Sequence, residues 1–129
     1  IDALKSGKYP CLRVNFPNGD MVGHTGSLLA TRCSMEALDL QLARILKVLD
    51  KVGGVALITA DHGNADNAIN ADGTPNTAHS LNPVPFIYVT ENKNATVEDG
   101  ILADVAPSIL HIMGLEKPAD MTGENLICD

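Results

Sequence analysis

Val55-Ala56-Leu57-Ile58-Thr59-Ala60-Asp61-His62-Gly63-Asn64 decides how this chain is read. Its first five residues form a nearly continuous apolar run, the kind buried on both faces of a parallel sheet. The Asp-His pair falls just past the carboxyl end of that run, where open α/β sheets place their ligands. On the N-terminal side, Gly53-Gly54 stops a helix expected over residues 34–52. Leu38, Leu42, Ile45, Leu46 and Leu49 recur there at the spacing of one helical face, and Ser34 is the expected N-cap. Residues 9–16 alternate Leu12, Val14 and Phe16 with Arg13 and Asn15, so a strand is expected, followed by a turn over 17–20. Strand, helix and strand then have the length of a right-handed βαβ crossover.

On the C-terminal side, residues 67–82 are a polar loop. Residues 83–89 return to a strand, with Pro83 and Pro85 at its entry. A second polar loop covers 90–99. A helix is expected over 102–113, with Leu102, Val105, Ile109 and Ile112 on one side and Gly114 as its stop; Pro107 places the start of its regular part near itself. Strands alternating with helices predict an α/β layered sheet.

The chain has 129 residues, enough for one modest domain. Hydrophobic residues make up 45% and charged residues 19%, a globular balance. Aromatics are 3% and Trp is absent, so the core is aliphatic. The net charge of −7 and nine scattered Lys and Arg argue against a nucleic-acid surface, which needs clustered cations. No apolar run approaches the roughly 18 residues that span a bilayer. Cys11, Cys33 and Cys128 are odd in number and widely spaced. They predict reduced thiols in a cytoplasmic protein rather than a disulfide framework. The chain opens on Ile, with no basic or long apolar leader, which reads as a cut end of a longer protein.

Three polar clusters carry the chemistry. They are Asp20 with His24, Asp61 with His62, and His79. Imidazole nitrogen and carboxylate oxygen suit a borderline or moderately hard divalent ion, and the lack of thiolates favours zinc or manganese. Each cluster alone also fits an ordinary strand-end turn or an exposed loop histidine. Together they use three of the four histidines, each at a strand end or in a loop. His111, in the last helix beside Ile109 and Ile112, reads as structural or partly solvated. Thr25, Ser27 and Ser80 offer hydroxyls that serve equally as nucleophiles or as caps and turns. There is no Walker-type phosphate loop, no G-x-S-x-G elbow and no dinucleotide fingerprint.

The stretch Asn15-Phe16-Pro17-Asn18-Gly19-Asp20-Met21-Val22-Gly23-His24-Thr25-Gly26 resembles a signature of the cofactor-independent phosphoglycerate mutases, members of the alkaline-phosphatase superfamily. Thr59-Ala60-Asp61-His62-Gly63-Asn64-Ala65-Asp66 resembles a second signature. Thr77-Ala78-His79-Ser80-Leu81-Asn82-Pro83-Val84-Pro85-Phe86 resembles a third. The closing stretch of residues 102–110 and Met121-Thr122-Gly123 resembles the family's C-terminal segment.

The resemblance implies a partial alkaline-phosphatase-like layered sheet with helices on both faces. It implies an enzyme that interconverts 3-phosphoglycerate and 2-phosphoglycerate, in glycolysis and gluconeogenesis, through a phosphoserine. Two manganese ions serve it, zinc or cobalt being alternatives, and no 2,3-bisphosphoglycerate is required. Carried over, Asp20, His24 and His79 ligate one ion, and Asp61 and His62 the other. The family's nucleophilic serine, a further aspartate ligand and the inserted phosphotransferase domain have no counterpart in residues 1–129. These residues are thus expected to be the C-terminal part of the metal-binding phosphatase-like domain, inactive alone and open to self-association at a bare sheet edge. The alternatives are a piece of another phosphohydrolase or phosphomutase of the superfamily, or a non-catalytic metal-binding module.

Overall fold

The computed structural model describes all 129 residues, which divide into two compact units. The first comprises Ile1–Gly54 and His62–Val84, the second Val55–Asp61 and Pro85–Asp129.

The first unit is helical. Helix α1 (Asp2–Ser6) ends on Gly7, whose φ of 61° lies in the left-handed region. Residues 8–16 follow without a strand. The alternation there has no apolar face to serve, since Leu12 and Val14 are both exposed, and Pro10 withdraws a backbone donor. The expected βαβ crossover is therefore not formed. Nor do residues 17–20 make an isolated turn. Pro17 caps a short helix, α2 (Asn18–Gly23), as Asn and Asp sit well in a first helical turn.

Helix α3 (Leu28–Lys51) starts six residues earlier than its apolar stripe suggests. Ser27 is its N-cap, accepting from the Ala30 N–H at 3.3 Å. Ser34 instead donates to the Asn18 carbonyl at 3.1 Å, tying α3 to α2. At the other end Gly54 N–H returns to the Leu49 carbonyl, with Gly53 at φ 67°, so the glycine stop is as expected. Leu49 is the buried anchor of the apolar face, and Leu38, Leu42, Ile45 and Leu46 are half-buried along it.

In the second unit, β1 (Ala56–Thr59) pairs with β2 (Phe86–Val89), Ala56 opposite Val89 and Thr59 opposite Phe86. The pairing is antiparallel, so the parallel sheet expected from the continuous apolar run of β1 is corrected. Nor is the run buried on both faces: Ala56, Leu57 and Ile58 are half-buried and Val55 and Thr59 exposed, because an apolar run fixes neither strand direction nor full burial. Strand β3 (Thr96–Val97) lies within the expected loop over 90–99 and pairs antiparallel with β4 (Ile127–Cys128). Helix α4 (Val105–Ile112) is preceded by a 3-10 turn over Leu102–Asp104, and Pro107 falls in its first turn, where its missing N–H costs nothing. No helix of the chain is long and apolar enough to cross a membrane.

The core of this unit joins Leu126 and Ile127 to two polar residues. Ser108 is fully buried. Its hydroxyl donates to the Asp104 carbonyl at 2.8 Å and accepts from the Leu126 N–H at 3.0 Å. The buried Asp104 carboxylate accepts from the Ile101 N–H at 2.7 Å and the Glu124 N–H at 2.8 Å. These two amides, the Ile101 contact first, hold its acid below the ordinary carboxylate range.

Asp104 therefore contributes stability above the ordinary carboxylate range, and loses it as pH falls through its lowered native value. Acid titration of urea stability is expected to show this loss, with a shallower slope in Asp104→Asn. Ser108→Ala, which strands the Leu126 amide, is expected to cost about 1–3 kcal/mol in the same measurement. A loss within error would mean that the amide finds another partner.

Candidate metal centre

The polar clusters of the first unit converge. Asp20 lies in the first turn of α2 and His24 is the helix's C-cap, so the i,i+4 spacing puts both on one face. His24 Nε2 stands 3.0 Å from Asp20 Oδ1. His79 Nε2 stands 3.0 Å from the same oxygen, and His62 Nε2 3.9 Å. The Nε2 atoms of His24 and His79 are 3.3 Å apart. The His62 and His79 rings stack, with centroids 3.7 Å apart and planes 14° from parallel. One oxygen of Asp20, one nitrogen of His62 and one of His79 all lie within 4.8 Å of one another, a grouping able to hold a metal ion.

Hydrogen bonding accounts for only part of this crowding: His24 Nε2 and His79 Nε2 pair with each other, and the Asp20 oxygen is left out. Asp20 Oδ1 is buried and accepts no hydrogen bond, despite two imidazole nitrogens at hydrogen-bonding distance. His24 Nδ1 is 2.7 Å from the Thr77 carbonyl, which only accepts, so Nδ1 carries the proton. In that tautomer Nε2 turns a lone pair toward Asp20 and His79. A carboxylate oxygen and an imidazole lone pair 3.0 Å apart repel unless a cation lies between them. A backbone carbonyl behind a ligand histidine fixes the tautomer in the same way in metal sites. The donor set, nitrogen and oxygen without sulfur, suits zinc or manganese.

Close backbone approaches build the cluster. Gly26 has φ 68°, and a Cβ there would come within 3.1 Å of Pro75 and 3.3 Å of Thr77, the residue that holds His24. A Cβ on Gly23 would strike the Asn64 side chain, and one on Gly63 would strike Ser80 and Asp66. Gly63 and Ser80 form an isolated antiparallel bridge, with Ser80 N–H donating to the Gly63 carbonyl at 2.8 Å. The bridge brings the residues after His62 and His79 side by side.

Four of the five expected ligands, Asp20, His24, His62 and His79, are thus brought together in one unit. Asp61 is exposed and closes the segment Val55–Asp61 of the other unit. The hydroxyls take local roles. Thr25 donates to the Val22 carbonyl at 2.6 Å, Ser27 caps α3, and Ser80 donates to Asp66 at 2.7 Å. His111 is half-exposed, 3.0 Å from Asp129. The cysteines are exposed and unpaired, and Cys33 sits inside α3 rather than before it. Asp66, which holds Ser80, carried no signal of its own. A single carboxylate in a polar loop has no partner at a recognisable spacing.

A chain with this cluster belongs to the metalloenzyme superfamily, whose pattern matches residues 1–117. Within that class it is similar to 2,3-bisphosphoglycerate-independent phosphoglycerate mutases. It is 57% identical over 127 residues to the mutase of Parabacteroides distasonis and 58% identical to that of Bacteroides thetaiotaomicron. Each match covers 98% of this chain, which spans about a quarter of the length of these relatives. Among solved structures it is similar to Leishmania mexicana phosphoglycerate mutase, determined at low cobalt concentration. The TM-score is 0.88 at 38% identity, over 98% of this chain and 26% of that one. The alkaline-phosphatase-like α/β fold and the family expected from the motifs both stand.

The tautomer is directly testable. Long-range 1H–15N spectra of the metal-free chain are expected to show the His24 proton on Nδ1. A proton on Nε2 alone would remove the argument for a cation at Asp20.

Proposed function

We propose that this chain supplies the metal-binding part of a phosphoglycerate mutase that interconverts 3-phosphoglycerate and 2-phosphoglycerate through a phosphoserine. The observation that carries the reading is the orphaned Asp20 oxygen faced by imidazole nitrogens. Asp20, His24 and His79, whose ligand atoms stand 3.0–3.3 Å apart, would hold one ion, and His62, at 3.9 Å from Asp20, would serve a second with Asp61, although its nitrogen also lies within 4.8 Å of the Asp20 and His79 ligand atoms. When bound, divalent ions lower the pKa of a hydroxyl nucleophile and neutralise phosphoryl charge during in-line transfer. The chain's part is to hold the ligand atoms convergent, with His24 fixed by Thr77 and His79 by the Gly63–Ser80 bridge.

Manganese is the ion proposed, with no need for 2,3-bisphosphoglycerate. The nucleophilic serine is proposed to lie outside residues 1–129, since Thr25, Ser27 and Ser80 are all committed to local hydrogen bonds. Apolar side chains at the surface, Leu29, Leu81 and Ile101 among them, support a chain that works as part of a larger enzyme. Exposed, unpaired thiols support a cytoplasmic location.

Calorimetric titration with Mn2+ tests the assignment. His24→Ala and His79→Ala are each expected to weaken the tighter site at least about 100-fold, and His62→Ala by much less. Equal losses for all three would merge the two proposed sites into one. The chain alone is expected not to interconvert phosphoglycerates; turnover above background would place the nucleophile within it.

A further inference from the structure

Outside the ligand cluster, a second polar group has no role in the function described so far. The Asp66 carboxylate sits just after the His62 turn, and its Oδ2 accepts two side-chain hydrogen bonds from the far side of the loop. Ser80 Oγ donates at 2.7 Å and Asn82 Nδ2 donates at 2.7 Å. Ser80 Oγ in turn accepts from the Asn82 N–H at 3.4 Å, and Ser80 is buried. A surface loop rarely concentrates two polar side chains on one carboxylate oxygen without a geometric reason.

The reason lies one residue away. His62 and His79 are separated by a long polar loop, and the only backbone pairing beside them is the Gly63–Ser80 bridge. One bridge fixes spacing poorly, because an isolated pair of residues retains twist and slide. The Asp66 clamp adds two charge-assisted bonds across the same gap. Gly63 permits it. Any Cβ there would collide with both Ser80 Oγ and the Asp66 carboxylate, so the three groups close over a bare backbone. The ring separation of 3.7 Å and the approach of both Nε2 atoms to Asp20 follow from how closely the two backbones are drawn together.

We infer that Asp66, with Ser80 and Asn82, is a positioning group that sets the spacing of His62 and His79 for metal binding. It touches neither the ion nor a substrate; it acts through the bridge. Conserving the acceptor oxygen should conserve the function, because a single oxygen takes both donors. The inference rests on the metal-centre reading for its affinity consequence, but the ring geometry is testable without metal.

Two measurements on the 129-residue chain decide it. In the metal-free chain, stacked imidazoles shift one another's ring protons upfield. Asp66→Ala is expected to lose that shift for His62 and His79 while amide resonances of α3 and of the second unit stay in place. In Mn2+ titrations, Asp66→Ala is expected to weaken binding about 10- to 100-fold, with Asp66→Asn restoring most of it. Should Asp66→Ala fail to fold, Ser80→Ala and Asn82→Ala each remove one donor and are expected to show part of both effects. Unchanged ring shifts in Asp66→Ala, or in both milder variants, would overturn the inference. So would equal Mn2+ affinity losses in Asp66→Ala and Asp66→Asn. If the unsubstituted chain binds no Mn2+, the metal-centre reading fails, and the ring shifts still decide whether Asp66 sets the spacing.

Discussion

One carboxylate oxygen organises the first unit. Asp20 Oδ1 is buried, accepts no hydrogen bond and faces the Nε2 atoms of three histidines. A buried polar atom without a partner costs about 1–3 kcal/mol, more when it is charged, and proteins keep such atoms where a function repays them. Much of the surrounding structure serves that oxygen. The short helix α2 delivers Asp20 and His24 on one face. The Thr77 carbonyl fixes one ring, and a glycine at each close approach lets the segments meet.

The second unit solves a different problem. Its buried aliphatic side chains are few, and two polar residues take up space that Leu or Ile would otherwise fill. Ser108 and Asp104 are tolerable inside because backbone amides and a carbonyl satisfy them. They also give direction. A hydrophobic contact fixes no register, whereas the Ser108 hydroxyl ties α4 to the Leu126 amide just ahead of β4. With only four-residue and two-residue strand pairs, this unit relies on side-chain-to-backbone bonds for part of the order that a wider sheet would supply.

What sequence reasoning recovered, and what it missed, divides along physical lines. The apolar stripe of α3, the run of β1 and the glycine stops at Gly53 and Gly114 are local signals, and each element lies where they put it. The start of α3 was missed because residues 28–33 lie ahead of the stripe. Propensity and the Ser27 cap carry them, and periodicity is silent there. Residues 9–16 alternate as a strand does, but alternation becomes a strand only when the segment pairs with a neighbour, and this one does not. Strand direction in β1 is likewise a property of its partner. At the site, residue chemistry drew attention to Asp20, His24, His62 and His79, which the fold then gathers. Asp66 escaped notice because its importance lies wholly in what approaches it from residues 80 and 82.

The chain distances within the cluster have a thermodynamic side. Asp20 and His79 touch at 3.0 Å, yet about 60 residues of chain lie between them. Ligand atoms so far apart along the backbone are dispersed when the chain unfolds, so an ion that prefers the gathered set binds only the folded form. Such an ion works as a reversible cross-link, much as a disulfide does across a long loop, but set by concentration instead of redox potential. The folded population of this unit then becomes a function of how much free divalent cation surrounds it.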